Sequence, residues 1–103
     1  VNGYTNVETW LVALWFDNNQ ADQEFWKERA EEARDSGEND CFSQGAAIRY
    51  LADEMKESVE YDAEKAGLSG LLSDLLGAAI SAVNWSELAR NHLANLEDSD
   101  APA

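Results

Sequence analysis

The sequence predicts an all-α fold, a compact single-domain bundle of four to five helices with an apolar central helix near residues 71–83. Three observations predict it. The one proline is Pro102, so no ring interrupts the chain before its end. Apolar residues recur with a 3.6-residue period in successive segments. Short clusters of Asn, Asp, Ser and Gly separate those segments, and two of them open on cap-like spacings. At 103 residues, 45 % hydrophobic, with four Trp, three Tyr and three Phe, the chain has material for one core.

The first helix is expected from about Asn6 to Asn18. Thr5-Asn6-Val7-Glu8 has capping-box spacing, with Thr5 as N-cap and Glu8 at N3. Val7, Trp10, Leu11, Leu14 and Trp15 form its apolar stripe, and Asp17-Asn18-Asn19 stops it. The second is expected from about Ala21 to Ser36, with Phe25, Trp26, Ala30 and Ala33 inward. Ser36-Gly37-Glu38-Asn39 is the next break. The third, from about Asp40 to Lys65, carries Ile48, Leu51, Ala52, Met55 and Val59 on one face, with Gly45 marking a division near its start. Ala66-Gly67-Leu68-Ser69-Gly70 reads as a turn. The fourth helix, with Leu71, Leu72, Leu75, Leu76, Ala79, Ile80 and Val83, is apolar almost all round, which places it at the centre. Asn84 and Glu87 resemble a cap pair opening a fifth helix, whose inner face is Trp85, Leu88, Ala89, His92, Leu93 and Leu96. Residues 1–96 thus form the domain, and 97–103 a short acidic tail expected to fray.

Charge is divided unevenly along this plan. The chain carries 21 acids and seven bases, a net charge of −14. Fifteen of the acids fall between Asp17 and Glu64, against five bases, which gives that segment −10. Residues 65–96 hold two acids and two bases and are neutral. Glu24, Glu28, Glu31, Glu32 and Asp35 share the outer face of the second helix, and Asp53, Glu57, Glu60 and Glu64 that of the third. Such rows repel nucleic acid and anionic membrane and attract proteins with basic grooves. Carboxylates one turn apart recur every ~5–6 Å along a helix, and phosphates of one DNA strand recur about every 3.4 Å of axis. Two rows side by side therefore approximate a polyanion. The competing reading is a solvated, salt-adapted or solubilising surface, which should spread over the whole chain.

Several chemistries lack their residues. A nucleophile needs a base and an orienting group, and the chain has one Cys and one His, Cys41 and His92. A helix-start or packing role for Cys41 and a surface or partly packed place for His92 suit them better than a catalytic pair. The lone Cys41 also excludes an internal disulfide and fits a reducing compartment. Gly67-Leu68-Ser69-Gly70 is too short for a phosphate loop and lacks its lysine. Asp35-Ser36-Gly37-Glu38-Asn39-Asp40 has the residue types of a calcium loop but not the order. The five-residue step from Glu87 to His92 puts those two on different faces, so no bundle metal centre is expected. Seven bases cannot neutralise phosphates against 21 acids, and the four tryptophans are expected in the core rather than stacked on bases. No run of about 18 apolar residues and no basic leader segment suggests a membrane or export route.

The opening Tyr4-Thr5-Asn6-Val7-Glu8-Thr9-Trp10, the following Leu14-Trp15-Phe16-Asp17-Asn18 and the Phe25-Trp26 pair carry a resemblance. They resemble small acidic helical proteins of phages, plasmids and integrated elements that open with N-x-E-T-W and L-W-x-x-N. The likeness extends in character to the leucine-rich part and to Val83-Asn84-Trp85. It implies a mobile-element origin and supplies no catalytic residue and no assigned activity. In character such proteins are similar to DNA-mimicking anti-restriction and anti-CRISPR proteins.

The expectation is a non-catalytic inhibitor of host defence in the cytoplasm of a prokaryotic host. It would occupy the basic groove of a DNA- or RNA-binding protein, a CRISPR effector or a restriction complex, through the nine acidic residues named above. It would need no cofactor and no metal, and would touch neither nucleic acid nor membrane. The alternative is an accessory interaction module, open to homodimer formation, that uses an apolar patch while its acidity serves solubility or salt adaptation.

Overall fold

A computed structural model describes residues 2–37 and 43–100, with the backbone alone described at 36–37, 43–44 and 97–100. The fold is all-α. In chain order the helices are α1 (Val7–Asn18), α2 (Gln20–Gly37), α3 (Ser43–Ala66), α4 (Leu71–Ala82) and α5 (Trp85–Asp100), with no strand among the described residues. Cys41 and the Glu38–Asp40 part of the calcium-like stretch lie outside the described residues, while Ser36 and Gly37 of the expected break belong to α2. Gly45 lies inside α3 rather than dividing it. α5 reaches Asp100, past the Leu96 at which the sequence places the end of the domain.

The centre is built by α2, α3 and α5, which pack most extensively on one another. Trp26, Ala30 and Ala33 of α2 meet Ala47, Leu51, Ala52 and Met55 of α3 and Trp85, Leu88, Ala89 and Leu96 of α5. The alanines let these helices approach closely. This corrects the expectation of a central helix near 71–83. α4 lies at the edge, with Leu71 72 % and Leu72 58 % exposed, and Leu75 also outward. Only Ile80, and Val83 just past its end, are buried there. A helix apolar on nearly every side offers no polar face by which periodicity could orient it, so tertiary packing decides which residues go inward.

The same ambiguity reverses α1. Its expected stripe of Val7, Leu11, Leu14 and Trp15 faces solvent, with Trp15 67 % exposed. Trp10 is half-buried, and the buried residues are Thr9 and Ala13, flanked by half-buried Val12 and Phe16. The expectation that all four tryptophans are core residues therefore holds for Trp26 and Trp85 and fails for Trp15. Phe25 is also half-exposed, with the Arg29 guanidinium 5.1 Å over its ring.

Capping follows the composition with one correction. Asn6, not Thr5, caps α1: its Oδ1 accepts from the Thr9 N–H at 2.9 Å and the Thr9 hydroxyl at 2.6 Å. Asn19 ends α1 and opens α2, accepting from the Ala21 N–H at 2.8 Å. Gly67 and Gly70, at φ 67° and 64°, turn the chain between α3 and α4 in a conformation that favours glycine.

The two predicted cap boxes interlock across the molecule. Asn84 accepts from the Glu87 N–H at 3.1 Å, as a cap should. The Glu87 carboxylate, however, accepts from the Thr5 N–H at 3.1 Å instead of turning back on Asn84. The Asn84 N–H donates to the Thr9 hydroxyl at 2.8 Å, and Asn6 Nδ2 donates to the Ala82 carbonyl at 2.7 Å. The Asn-x-Glu-Thr motif thus pins the start of α1 to the α4–α5 junction. Its Asn and Thr serve structure here.

Candidate functional site

The acidic rows sit on α2 and α3 opposite their buried faces, because Trp26, Ala30 and Ala33 on one helix and Leu51 and Met55 on the other are drawn into the core. Of the nine predicted positions, Glu24, Glu28, Glu32, Asp35, Asp53, Glu57, Glu60 and Glu64 are exposed, and Glu31 is half-buried.

Arg29 Nε of α2 lies 3.7 Å from a Glu54 oxygen of α3, and Glu32 lies close enough to Tyr50 to act on its hydroxyl. Rising numbers on α2 therefore meet falling numbers on α3, so the helices run antiparallel. Each acidic row runs along the outer face of its own helix, with Glu24 and Glu28 level with the Asp53–Glu60 stretch. Neutralisation is partial. Arg29 pairs with Glu32 at 3.2 Å and Arg34 with Asp35 at 3.3 Å. Glu28, Glu57, Glu60 and Glu64 have no ion pair among the described residues. The field at the seam shows in Tyr50, whose hydroxyl is raised above its ordinary value. The hydrogen bond to Glu54 is the first cause, followed by the Glu54 charge. One Glu54 oxygen is buried with no hydrogen-bond partner.

α3 extends beyond the seam and forms a groove with α4. The groove holds about 740 Å³; Glu57, Glu60 and Glu64 line its α3 side, and Leu76, Gly77 and Ile80 its α4 side. Periodicity along the sequence could not reveal it, because it depends on where α4 is placed. The accessible signal was Gly77, a glycine in mid-helix.

His92 belongs to packing. Its Nδ1 lies 3.0 Å from the Leu88 carbonyl, and its ring meets Phe16 edge-on with centroids 6.3 Å apart. Phe16 in turn stacks on Trp26. A small hollow beside it, about 200 Å³, is lined by Asp17, Gln23, Lys27, Asn95 and Leu96. Among the described residues no group of three or more His, Cys, Asp or Glu is placed to hold a metal ion. Among the described residues no helix is long and apolar enough to cross a membrane.

These features define a class: a small, strongly acidic, all-α protein whose exposed carboxylates gather along one helix pair. Residues 1–89 match a family described as "Family of unknown function (DUF7249)", and the chain belongs to that family. No curated protein and no solved structure matches it.

Proposed function

We propose that this protein is a non-catalytic, mobile-element inhibitor of host defence, of anti-CRISPR or anti-restriction type, acting in the cytoplasm of a prokaryotic host. It binds the basic groove of a DNA- or RNA-handling protein through the α2–α3 carboxylates and touches no nucleic acid itself. The observation that carries this reading is the pair of exposed acidic rows on the adjacent, antiparallel helices α2 and α3. Such an array offers a groove built for phosphates a comparable spacing of charge, and it steers association from a distance.

The test starts with affinity capture from a host carrying defence systems. The captured complex should weaken as salt rises and compete with DNA or RNA. Reversing Glu28, Glu31 and Glu32, or Glu57 and Glu60, to Lys should abolish it while circular dichroism shows the helices intact. Cys41→Ser and His92→Ala should leave it unchanged. Binding that survives charge reversal at physiological salt sinks the polyanion reading.

A second reading rests on a different observation. Val7, Leu11, Leu14 and Trp15 on α1, and Leu71, Leu72 and Leu75 on α4, present apolar side chains to solvent. Exposed apolar surface of this extent marks interaction sites in other proteins. An accessory interaction module would use it and leave the acidity to solubility. It expects the opposite ranking, with Leu11→Ser and Trp15→Ser disruptive and the charge reversals tolerated.

A further inference from the structure

We infer that the α3–α4 groove is a docking site for a basic amphipathic helix of a partner protein. Its α4 side is built from Leu76 and the buried Ile80 beside Ser73, with half-exposed Leu68 at the rim. Its α3 side carries Glu57, Glu60 and Glu64. These stand at i, i+3 and i+7, so they span about two turns, ~10 Å along the axis. Lys65 folds onto the Tyr61 ring, 4.6 Å from its centroid, which leaves three carboxylates to one ammonium around the opening.

Gly77 keeps the α4 side of the groove open. Glycine inside a helix costs ~0.5–1 kcal/mol relative to alanine. The positive-φ glycines are Gly3, Gly67 and Gly70, so conformation does not require it at 77. Packing within the chain does not require it either, since a Cβ there would meet nothing within 4 Å. A bare backbone facing an open groove permits close approach by a visiting helix. Charge selects that visitor. A second copy of this chain, at net charge −14, would bring its own acids against the three glutamates, whereas lysines or arginines spaced by one turn would complement them. The inference deepens the proposed function, resting on it for the basic character of the partner.

The probe is a synthetic helix with leucines and lysines on adjoining faces, titrated into the full chain at physiological ionic strength, with a glutamate-for-lysine counterpart as control. Nuclear magnetic resonance should map it to the groove. Gly77→Gln, a neutral side chain placed in the opening, and Glu57→Lys with Glu60→Lys should each weaken binding about tenfold or more, ~1.4 kcal/mol or above. Gly77→Ala should weaken it less, with the helical spectrum retained. Glu24→Lys with Glu28→Lys on α2 should change it no more than about twofold, ~0.4 kcal/mol. The inference is overturned if the helix fails to bind, if Gly77→Gln binds as tightly as the parent, or if the α2 reversal weakens binding as much as the α3 reversal. It is equally overturned if sedimentation shows a dimer that Gly77→Gln disperses. In capture from the host, loss with Gly77→Gln but not with the α2 reversals would retain the groove and discard the polyanion reading. The converse pattern would do the reverse.

Discussion

Thr9 is fully buried and makes both available uses of its hydroxyl, donating to Asn6 and accepting from the Asn84 N–H. Replacing it with valine keeps the shape and removes the acceptor. The Asn84 N–H would then lose its partner in a part-buried setting, at a cost of ~1–3 kcal/mol. For a chain of this size each kcal/mol lowers the melting temperature by about 4–8 °C. Thermal melts of Thr9→Val should show that drop, and Thr9→Ser should recover most of it. Cap spacing was legible in the sequence, but its partners were not. Thr5, Glu8, Asn84 and Glu87 read as two local boxes because the residues that complete them are near 80 positions away.

Among the helices, α2 and α3 were legible and α1 and α4 were not, for one physical reason. Acids on one face of α2 and α3 leave a single apolar side to bury, so periodicity and packing agree. α1 and α4 offer apolar residues in several directions, and the neighbours choose. The exposed leucines of α4 should accordingly contribute little to stability. Leu72→Ser is expected to change it by no more than ~0.5 kcal/mol, while Leu88→Ala on α5, in the true core, should cost ~2–5 kcal/mol. Gly77→Ala should instead stabilise by ~0.5–1 kcal/mol, since its Cβ meets no other atom. Denaturant titration of the three variants orders them directly. An α4 that is in fact central would show in Leu72→Ser as a loss comparable to Leu88→Ala. The acidic positions followed from the same agreement of period and packing, whereas the groove required the position of α4.

At the scale of the molecule, shape and charge act together. The radius of gyration is 14.7 Å and the longest dimension 49 Å, against about 13 Å expected for the radius of a compact chain of this length. The long α3 and a thin core explain the difference. An elongated body separates like charges somewhat, yet a charge of −14 still opposes the folded state. The melting temperature should rise as salt is added from ~0.01 M to ~0.15 M, where the screening length falls from about 30 to 8 Å. Glu28→Lys should raise it at the lower salt and lose most of that advantage at the higher. A melting temperature indifferent to salt would mean that the carboxylates are neutralised in ways the ion pairs do not reveal.

The hydrogen-bonded clasp between the start of α1 and the α4–α5 junction sets an order of events during synthesis. Asn6 and Thr9 leave the ribosome early, but Ala82, Asn84 and Glu87 follow only after most of the chain is made. The first helix can form its own cap at once and stack Phe16 on Trp26 of α2, yet its start has nothing to fasten to. α2 and α3 are sequence neighbours and can pair while synthesis continues, whereas the start of α1 must wait until the α4–α5 junction has emerged. A nascent chain stalled before residue 82 should therefore leave its first helix open to protease, and one released beyond residue 96 should protect it.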